Sequence, residues 1–128
     1  MSSALKDLMS NATNSVIDIN KLEELIQTKK ITLKIIETYF KNEEDAEKKE
    51  MLLNAIIKCS DKCEALKLVA LSSALKSNSL VLRDAAATII ELLNNVKYLV
   101  VLQEHVEPVL WLRNYINYVQ KKLVEVTP

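Results

Sequence analysis

The 128-residue sequence contains no glycine, and it has only two prolines, two cysteines and one histidine. Glycine is the usual residue where the backbone needs a positive φ angle or must lie close to a ligand. Its absence therefore excludes glycine-rich phosphate-binding loops, the dinucleotide-binding fingerprint and the nucleophile elbow of hydrolases. A single histidine excludes paired imidazole ligands, and two cysteines alone do not complete a tetrahedral zinc site. We predict a protein that is not an enzyme and that has no metal site and no cofactor.

Charge of one sign is also lacking, since 17 basic residues balance 17 acidic ones. This balance disfavours sequence-independent nucleic-acid binding, which depends on an excess of lysine and arginine. The first residues lack the basic and apolar regions of a signal peptide, and no apolar run reaches the length of a membrane span. We expect an intracellular protein, cytoplasmic or nuclear, with no membrane contact.

What the sequence does contain is a helical pattern of apolar residues, divided by Asn, Ser and Asp, which favour helix ends. We predict a single all-α domain over residues 1–128, in which residues 1–19 form a loosely attached N-terminal helix. Its six to eight short antiparallel helices form either a compact bundle or a short helical-repeat array. The pattern places them near residues 3–13, 20–28, 30–41, 43–58, 61–76, 79–94, 96–105 and 107–125, with residues 28–30 as a break or a kink.

Several helix ends have recognisable capping patterns. Asn20 and Glu23, and likewise Asp61 and Glu64, have the three-residue spacing of a reciprocal capping box. Asn94 suits the left-handed position that follows a helix. The helix at 61–76 is apolar around most of its circumference, which predicts a central position in the fold. The charged segment 43–50 is interpreted as a solvated first turn and outer face.

Pro108 fits the first turn of the last helix, where its missing N–H costs little. His105 precedes it, between two glutamates, and is predicted to be a histidine at the end of a helix. No nucleophile lies at a spacing that would make His105 part of a catalytic triad.

The segment 79–93 has an arginine, Arg83, followed by the small residues Ala85 and Ala86 and a leucine pair, Leu92–Leu93. In these features it resembles the inner helix of HEAT or armadillo repeats. Helix starts from Asn42 onward recur about every 18 residues, near the spacing of helical hairpins. The resemblance implies a fold of stacked helix pairs.

The last helix carries two stripes. The aliphatic stripe consists of Val109, Leu112, Ile116, Val119 and Leu123. Trp111, Tyr115 and Tyr118 form an aromatic stripe well over 90° away, at about 100° per residue. One interpretation buries both stripes. The other leaves the aromatic residues exposed as anchors for a protein partner or a homo-oligomer, with Arg113 at the rim. We predict a non-catalytic protein–protein interaction or assembly domain, such as an adaptor or an oligomerisation module.

Two alternatives concern other residues. Lys30, Lys34 and Lys41 share one face of a predicted helix and form a candidate basic patch for nucleic acid. Cys59 and Cys63 lie four residues apart, and Cys63 falls in the first turn of a predicted helix, where the pKa of a thiol is lowered. They form a candidate redox pair or, alternatively, two small apolar side chains in a reducing compartment.

Overall fold

The structure, a computed structural model, describes residues 2–12, 14 and 16–125. Over these residues the chain is all-α, as predicted. The helices are α1 (Ser3–Ser10), α2 (Ile19–Gln27), α3 (Leu33–Asn42), α4 (Ala46–Ile57), α5 (Glu64–Leu75), α6 (Leu80–Leu93), α7 (Leu99–Gln103) and α8 (Leu110–Glu125). Short 3₁₀ turns, Asp61–Cys63 and Val96–Tyr98, lead into α5 and α7. None of the helices in the described ranges combines the length and the apolar character needed to cross a membrane.

The helices form two layers. Along one layer α2 packs against α4, α4 against α6, and α6 against α8; along the other, α3 packs against α5 and α5 against α7. Contacts between helices two apart in the sequence are those that stacked helix pairs make. Helix α5 contacts neighbours in both layers, which confirms the central position predicted for residues 61–76. The relation to HEAT or armadillo repeats remains a prediction.

Small residues let the central helices approach each other closely. Ala70 and Ala74 of α5, like Ala86 and Ala87 of α6, are completely buried. The remaining volume is filled mainly by leucine and isoleucine, and each buried aliphatic side chain contributes about 1.5–3 kcal/mol to folding. Helix α1 adds the buried Leu5 and Leu8 to the same core.

Helix α2 begins one residue before the predicted start, and its N-cap lies two residues before the predicted one. The N-cap is Asp18, whose carboxylate accepts a hydrogen bond from the Lys21 amide at 3.1 Å, so the predicted box beginning at Asn20 does not form. Glu23 instead accepts a hydrogen bond from the Ser60 amide at 2.6 Å. A residue that looked like a local cap joins two distant segments.

The second predicted capping box is absent for the same reason. Asp61 lies in the 3₁₀ turn, and Cys63 occupies the N-cap position of α5 without a side-chain cap. Glu64 accepts a hydrogen bond from the Tyr98 hydroxyl at 2.9 Å and pairs with Lys97 at 2.8 Å, tying the start of α5 to the start of α7.

Residues 28–30 are a break and not a kink. Lys29 has a left-handed backbone with φ of 62°, and α3 begins only at Leu33, capped by Thr32. Lys30 therefore lies outside the helix predicted over 30–41. The left-handed position of Asn94 after α6 is confirmed, with φ of 47°.

The last two helices are shorter than predicted at the ends that adjoin each other. Helix α7 ends at Gln103, and α8 begins at Leu110, so residues 104–109 connect them. Val109 accepts the first helical hydrogen bond, from the Arg113 amide at 2.9 Å, and Pro108 lies before the helix, not in its first turn.

Candidate functional site

Helices α6 and α8 run in the same direction. Arg83 of α6 bonds Glu107, and Glu91, two turns further along α6, bonds Tyr115; both contacts join residues 24 apart in the sequence. Because the separation in sequence is the same for both contacts, the two chain segments run parallel to each other. The short helix α7 provides the return path between them.

Helix α8 buries the predicted aliphatic stripe. Leu112, Ile116, Val119 and Leu123 are buried, and Val109 is partly buried against the core. This part of the prediction is confirmed, and it fixes the rotation of α8 about its own axis. Trp111 and Tyr118 of the aromatic stripe therefore face away from the core, whereas Tyr115 packs at its edge.

The outward side of α8 carries Trp111, Tyr115 and Tyr118, which we call the aromatic face. Trp111 and Tyr118 are each 53% exposed, whereas Tyr115 is partly buried. The two tyrosine rings are stacked, with centroids 6.5 Å apart and planes inclined by 21°. Offset stacking of this kind is favourable beyond the area that it buries. Leu110, 64% exposed, lies beside Trp111 at the start of the helix.

Tyr115 is held by Glu91 of α6. Its hydroxyl donates a hydrogen bond to Glu91 Oε1 at 2.6 Å, and Lys122 Nζ donates one to Glu91 Oε2 at 3.1 Å. Burial and the bond to Glu91 raise the pKa of Tyr115 to about 12, so its hydroxyl remains protonated at neutral pH. The Lys122 ammonium also lies 5.8 Å from the centre of the Tyr118 ring. These contacts orient the rings of Tyr115 and Tyr118.

Arg113 does not join the aromatic face. At about 100° per residue it lies roughly 200° around α8 from Trp111. Its guanidinium donates hydrogen bonds to the carbonyl oxygens of Glu107, at 2.9 Å, and Pro108, at 3.1 Å. Arg113 thus secures the segment before α8 to the first turn of that helix.

The segment between α7 and α8 contains a buried ionic network that the sequence analysis did not identify. The Arg83 guanidinium donates two hydrogen bonds to the Glu107 carboxylate, at 2.8 and 3.1 Å, and a third to the Ser77 carbonyl at 3.1 Å. His105 Nε2 lies 2.9 Å from Glu107 Oε1, and the Val109 amide donates to Oε2 at 3.0 Å.

Glu107 is charged in this environment. Burial alone raises the pKa of its carboxyl, but the hydrogen bonds from Arg83, His105 and the Val109 amide outweigh that effect and hold the pKa at about 2. Each of these donors is already engaged, and they share one carboxylate. The network therefore joins the segment 104–109 to α6, and its geometry is that of a structural tie.

The two cysteines are both buried and are free thiols. The Cys59 Sγ lies 3.5 Å from the Ala55 carbonyl oxygen. Burial and the neighbouring Cys63 raise the pKa of the Cys59 thiol to about 12. The thiolate is the reactive form, so Cys59 is a poor nucleophile at neutral pH. A redox role for the pair remains a prediction.

The three lysines of the candidate basic patch are exposed but occupy different surroundings. Lys30 borders a depression that also contains Asp7 and Asp18, whereas Lys34 lines a cavity beside Tyr39. Lys41 lines a third cavity, described below. The structure keeps Lys34 and Lys41 on α3 and leaves Lys30 in the turn before it.

Comparison with protein-family models, with curated protein sequences and with solved structures found no match to this chain.

Proposed function

We propose that this chain is a non-catalytic protein–protein interaction domain that binds its partner through the aromatic face of α8. The observation that carries the proposal is the exposure of Trp111 and Tyr118, each 53% accessible, on one side of a helix whose other side is buried. Tryptophan and tyrosine are the residues most enriched among those that dominate binding energy at protein interfaces.

The contacts that hold the rings of Tyr115 and Tyr118 in place favour binding. Tyr118 is stacked on Tyr115, and Tyr115 is bonded to Glu91, so little rotational freedom is left to lose when a partner covers them. Preorganisation of this kind lowers the entropic cost of association.

Two further exposed apolar residues lie near the aromatic face. Leu110 at the start of α8 is 64% exposed. Leu92 of α6 is 78% exposed, and it shares a side of α6 with Thr88, which lies near the Tyr115 hydroxyl. Exposed apolar residues that are contiguous on a protein surface mark interaction sites more often than isolated ones do.

The experiment uses the double substitution Trp111→Ala and Tyr118→Ala. Because both side chains are half exposed, we expect helicity and thermal stability to change little, while association weakens at least about tenfold, as expected for loss of an interface hot spot. Sedimentation over a concentration series measures self-association, and pull-down with the purified chain measures binding to other proteins. A double substitution of Leu33→Ala and Val100→Ala, which truncates exposed apolar residues away from α8, is the matched control.

Trp111 is the chain's single tryptophan and provides a direct readout. Its emission should shift to shorter wavelength, and its quenching by acrylamide should fall, as a partner or a second copy covers it. If the aromatic double variant sediments and captures partners as the control does, the aromatic face is not the contact surface and the proposal fails.

A further inference from the structure

Lys49 packs most of its side chain against the protein, while its ammonium remains in contact with solvent. Of the two buried lysines among the described residues, Lys67 pairs with Glu64 at 3.6 Å, whereas no described residue forms an ion pair or hydrogen bond with the Lys49 ammonium. Lysine commonly buries its apolar stem in this way and keeps its charge in water. In the segment 43–50, interpreted as a solvated first turn and outer face, Lys49 departs from that prediction because it is only 9% exposed.

The helix dipole does not compensate Lys49 either. Lys49 lies in the first turn of α4, at the positive end of that helix, where a cation is disfavoured. Lys41, in the last turn of α3, and Lys76, the C-cap of α5, lie at negative helix ends, where a cation is favoured. Helix-end electrostatics thus account for Lys41 and Lys76 but leave the position of Lys49 unexplained.

These three lysines line one cavity of about 350 Å³ between α3, α4 and the end of α5. Its other polar lining side chains include Glu37, Ser73 and Asn78. Three ammonium groups against one carboxylate leave an excess of two positive charges. Helices α3 and α5 end beside the cavity while α4 and α6 begin beside it, so the backbone dipoles oppose one another and the lysines determine the sign of the potential.

We propose that this cavity binds a dianionic phosphate group, either free or as the monoester of a small molecule. A phosphate dianion matches the excess charge of two, and lysine is a common phosphate ligand that acts as a point charge. The cavity holds roughly ten times the volume of one water, about 30 Å³, which leaves room for a small organic group attached to the phosphate.

Each side chain has a distinct part in this site. Lys49 supplies an unpaired charge at the cavity wall, and Lys41 and Lys76 contact the anion from the ends of two helices. The Ser73 hydroxyl and the Asn78 amide make no hydrogen bond to another described residue, so both can donate to phosphate oxygens. The site differs from the patch predicted from the sequence, because it combines Lys41 with residues of α4 and α5.

The test is a nuclear magnetic resonance titration with inorganic phosphate and, separately, with glycerol phosphate, each at constant ionic strength. We expect saturable shifts at Lys41, Lys49 and Lys76 for at least one of the two ligands. The tighter ligand identifies the source of the phosphate. Sulfate, a dianion, should compete, whereas chloride at the same ionic strength should not.

The decisive variant is Lys49→Met, which retains the apolar stem and removes the charge. We expect it to bind at least about tenfold more weakly, the loss of one hydrogen bond to a charged group. Without ligand its stability should change little, because methionine keeps the buried stem and the ammonium that is removed has no partner in the described part of the protein. Lys48→Met, at the exposed neighbouring position, should change affinity less than about twofold.

The proposal is overturned if wild type shows no saturable response to either ligand. It is equally overturned if Lys49→Met and Lys48→Met bind alike, since a general positive field would then suffice. A marked loss of stability in Lys49→Met without ligand would overturn the premise that the Lys49 ammonium has no partner in the protein.

Discussion

Replacing Glu107 with glutamine should destabilise the fold strongly at neutral pH and weakly in acid. Glutamine has nearly the same shape but no charge, and its amide nitrogen would face donors that now point at a carboxylate oxygen. The side chain of Glu107 is only 1% exposed, and that of Arg83, its partner, only 9%. The substitution therefore leaves the Arg83 guanidinium buried without a counter-ion.

The expected magnitude follows from the pKa of Glu107. In the folded protein the pKa is lowered from 4.5 to about 2. At about 1.4 kcal/mol for each pH unit, this difference corresponds to about 3 kcal/mol of folding free energy at pH 7. Because the folded pKa is the lower one, this contribution is complete above pH 4.5 and disappears as the pH falls towards 2. Breaking other buried ion pairs by removing one partner has cost about 3–5 kcal/mol, which agrees with this figure.

The measurement is urea denaturation of wild type and Glu107→Gln at a series of pH values from 7 down to 3. The difference in unfolding free energy should be about 3 kcal/mol at pH 7 and should shrink steadily below pH 4.5. Other carboxylates with lowered pKa values are present in both proteins, so their titration cancels in the difference. Glu104→Gln, an exposed glutamate three residues earlier, is the control and should change stability by less than about 0.5 kcal/mol. A difference at pH 7 below about 1 kcal/mol, or one independent of pH, would refute the reasoning.

Two further predictions concern the backbone and the thiols. Lys29→Gly should stabilise the protein by up to about 1 kcal/mol in urea denaturation, because glycine removes the cost of a left-handed backbone at φ of 62° while adding freedom to the unfolded chain. Asn94→Val, a β-branched residue at φ of 47°, should cost about 1–2 kcal/mol; stability changes of the opposite signs would contradict both assignments. The thiols of Cys59 and Cys63 are buried and should react with a thiol reagent only as fast as the protein opens, so that urea accelerates the reaction; complete labelling during mixing would show that they are accessible.

The sequence was sufficient for the fold class and for the buried side of α8. Both depend on periodic apolar residues, and periodicity is a local property of the chain. The Asn94 position was also predictable, because without glycine asparagine is the residue that best tolerates a left-handed backbone.

The sequence did not predict the hydrogen-bond partner of a residue that could bond either a neighbouring or a distant residue. Glu23 and Glu64 had capping-box spacing, yet they bond Ser60 and Tyr98, which are 37 and 34 residues away. Glu107 was noticed only as a neighbour of His105, although its main partner, Arg83, is 24 residues earlier. Pairings at such distances depend on how the helices stack, which no local spacing encodes.

Lys49 illustrates the same limit for burial. In the segment 43–50 charged residues are so frequent that the whole segment looks solvated, and the sequence does not show which one turns inward. Helix α5 packs against α3 and α4, and residues at its end line the same cavity as Lys49. The cavity lined by Lys41, Lys49 and Lys76 brings together three helices, so its composition could not be read from any one of them.

The aromatic face lies on α8, which has fewer neighbours in its layer than α4 and α6 have. In the layer formed by α2, α4, α6 and α8, both α4 and α6 have a neighbour on each side, whereas α8 packs chiefly against α6 and, across the layers, α7. The end helix of a stacked array needs a polar outer surface if it is to remain in water. Helix α8 instead exposes Leu110, Trp111 and Tyr118. Because Tyr115 of this face bonds Glu91 of α6, the proposed partner would cover the side of α8 that adjoins α6 and would contact both helices.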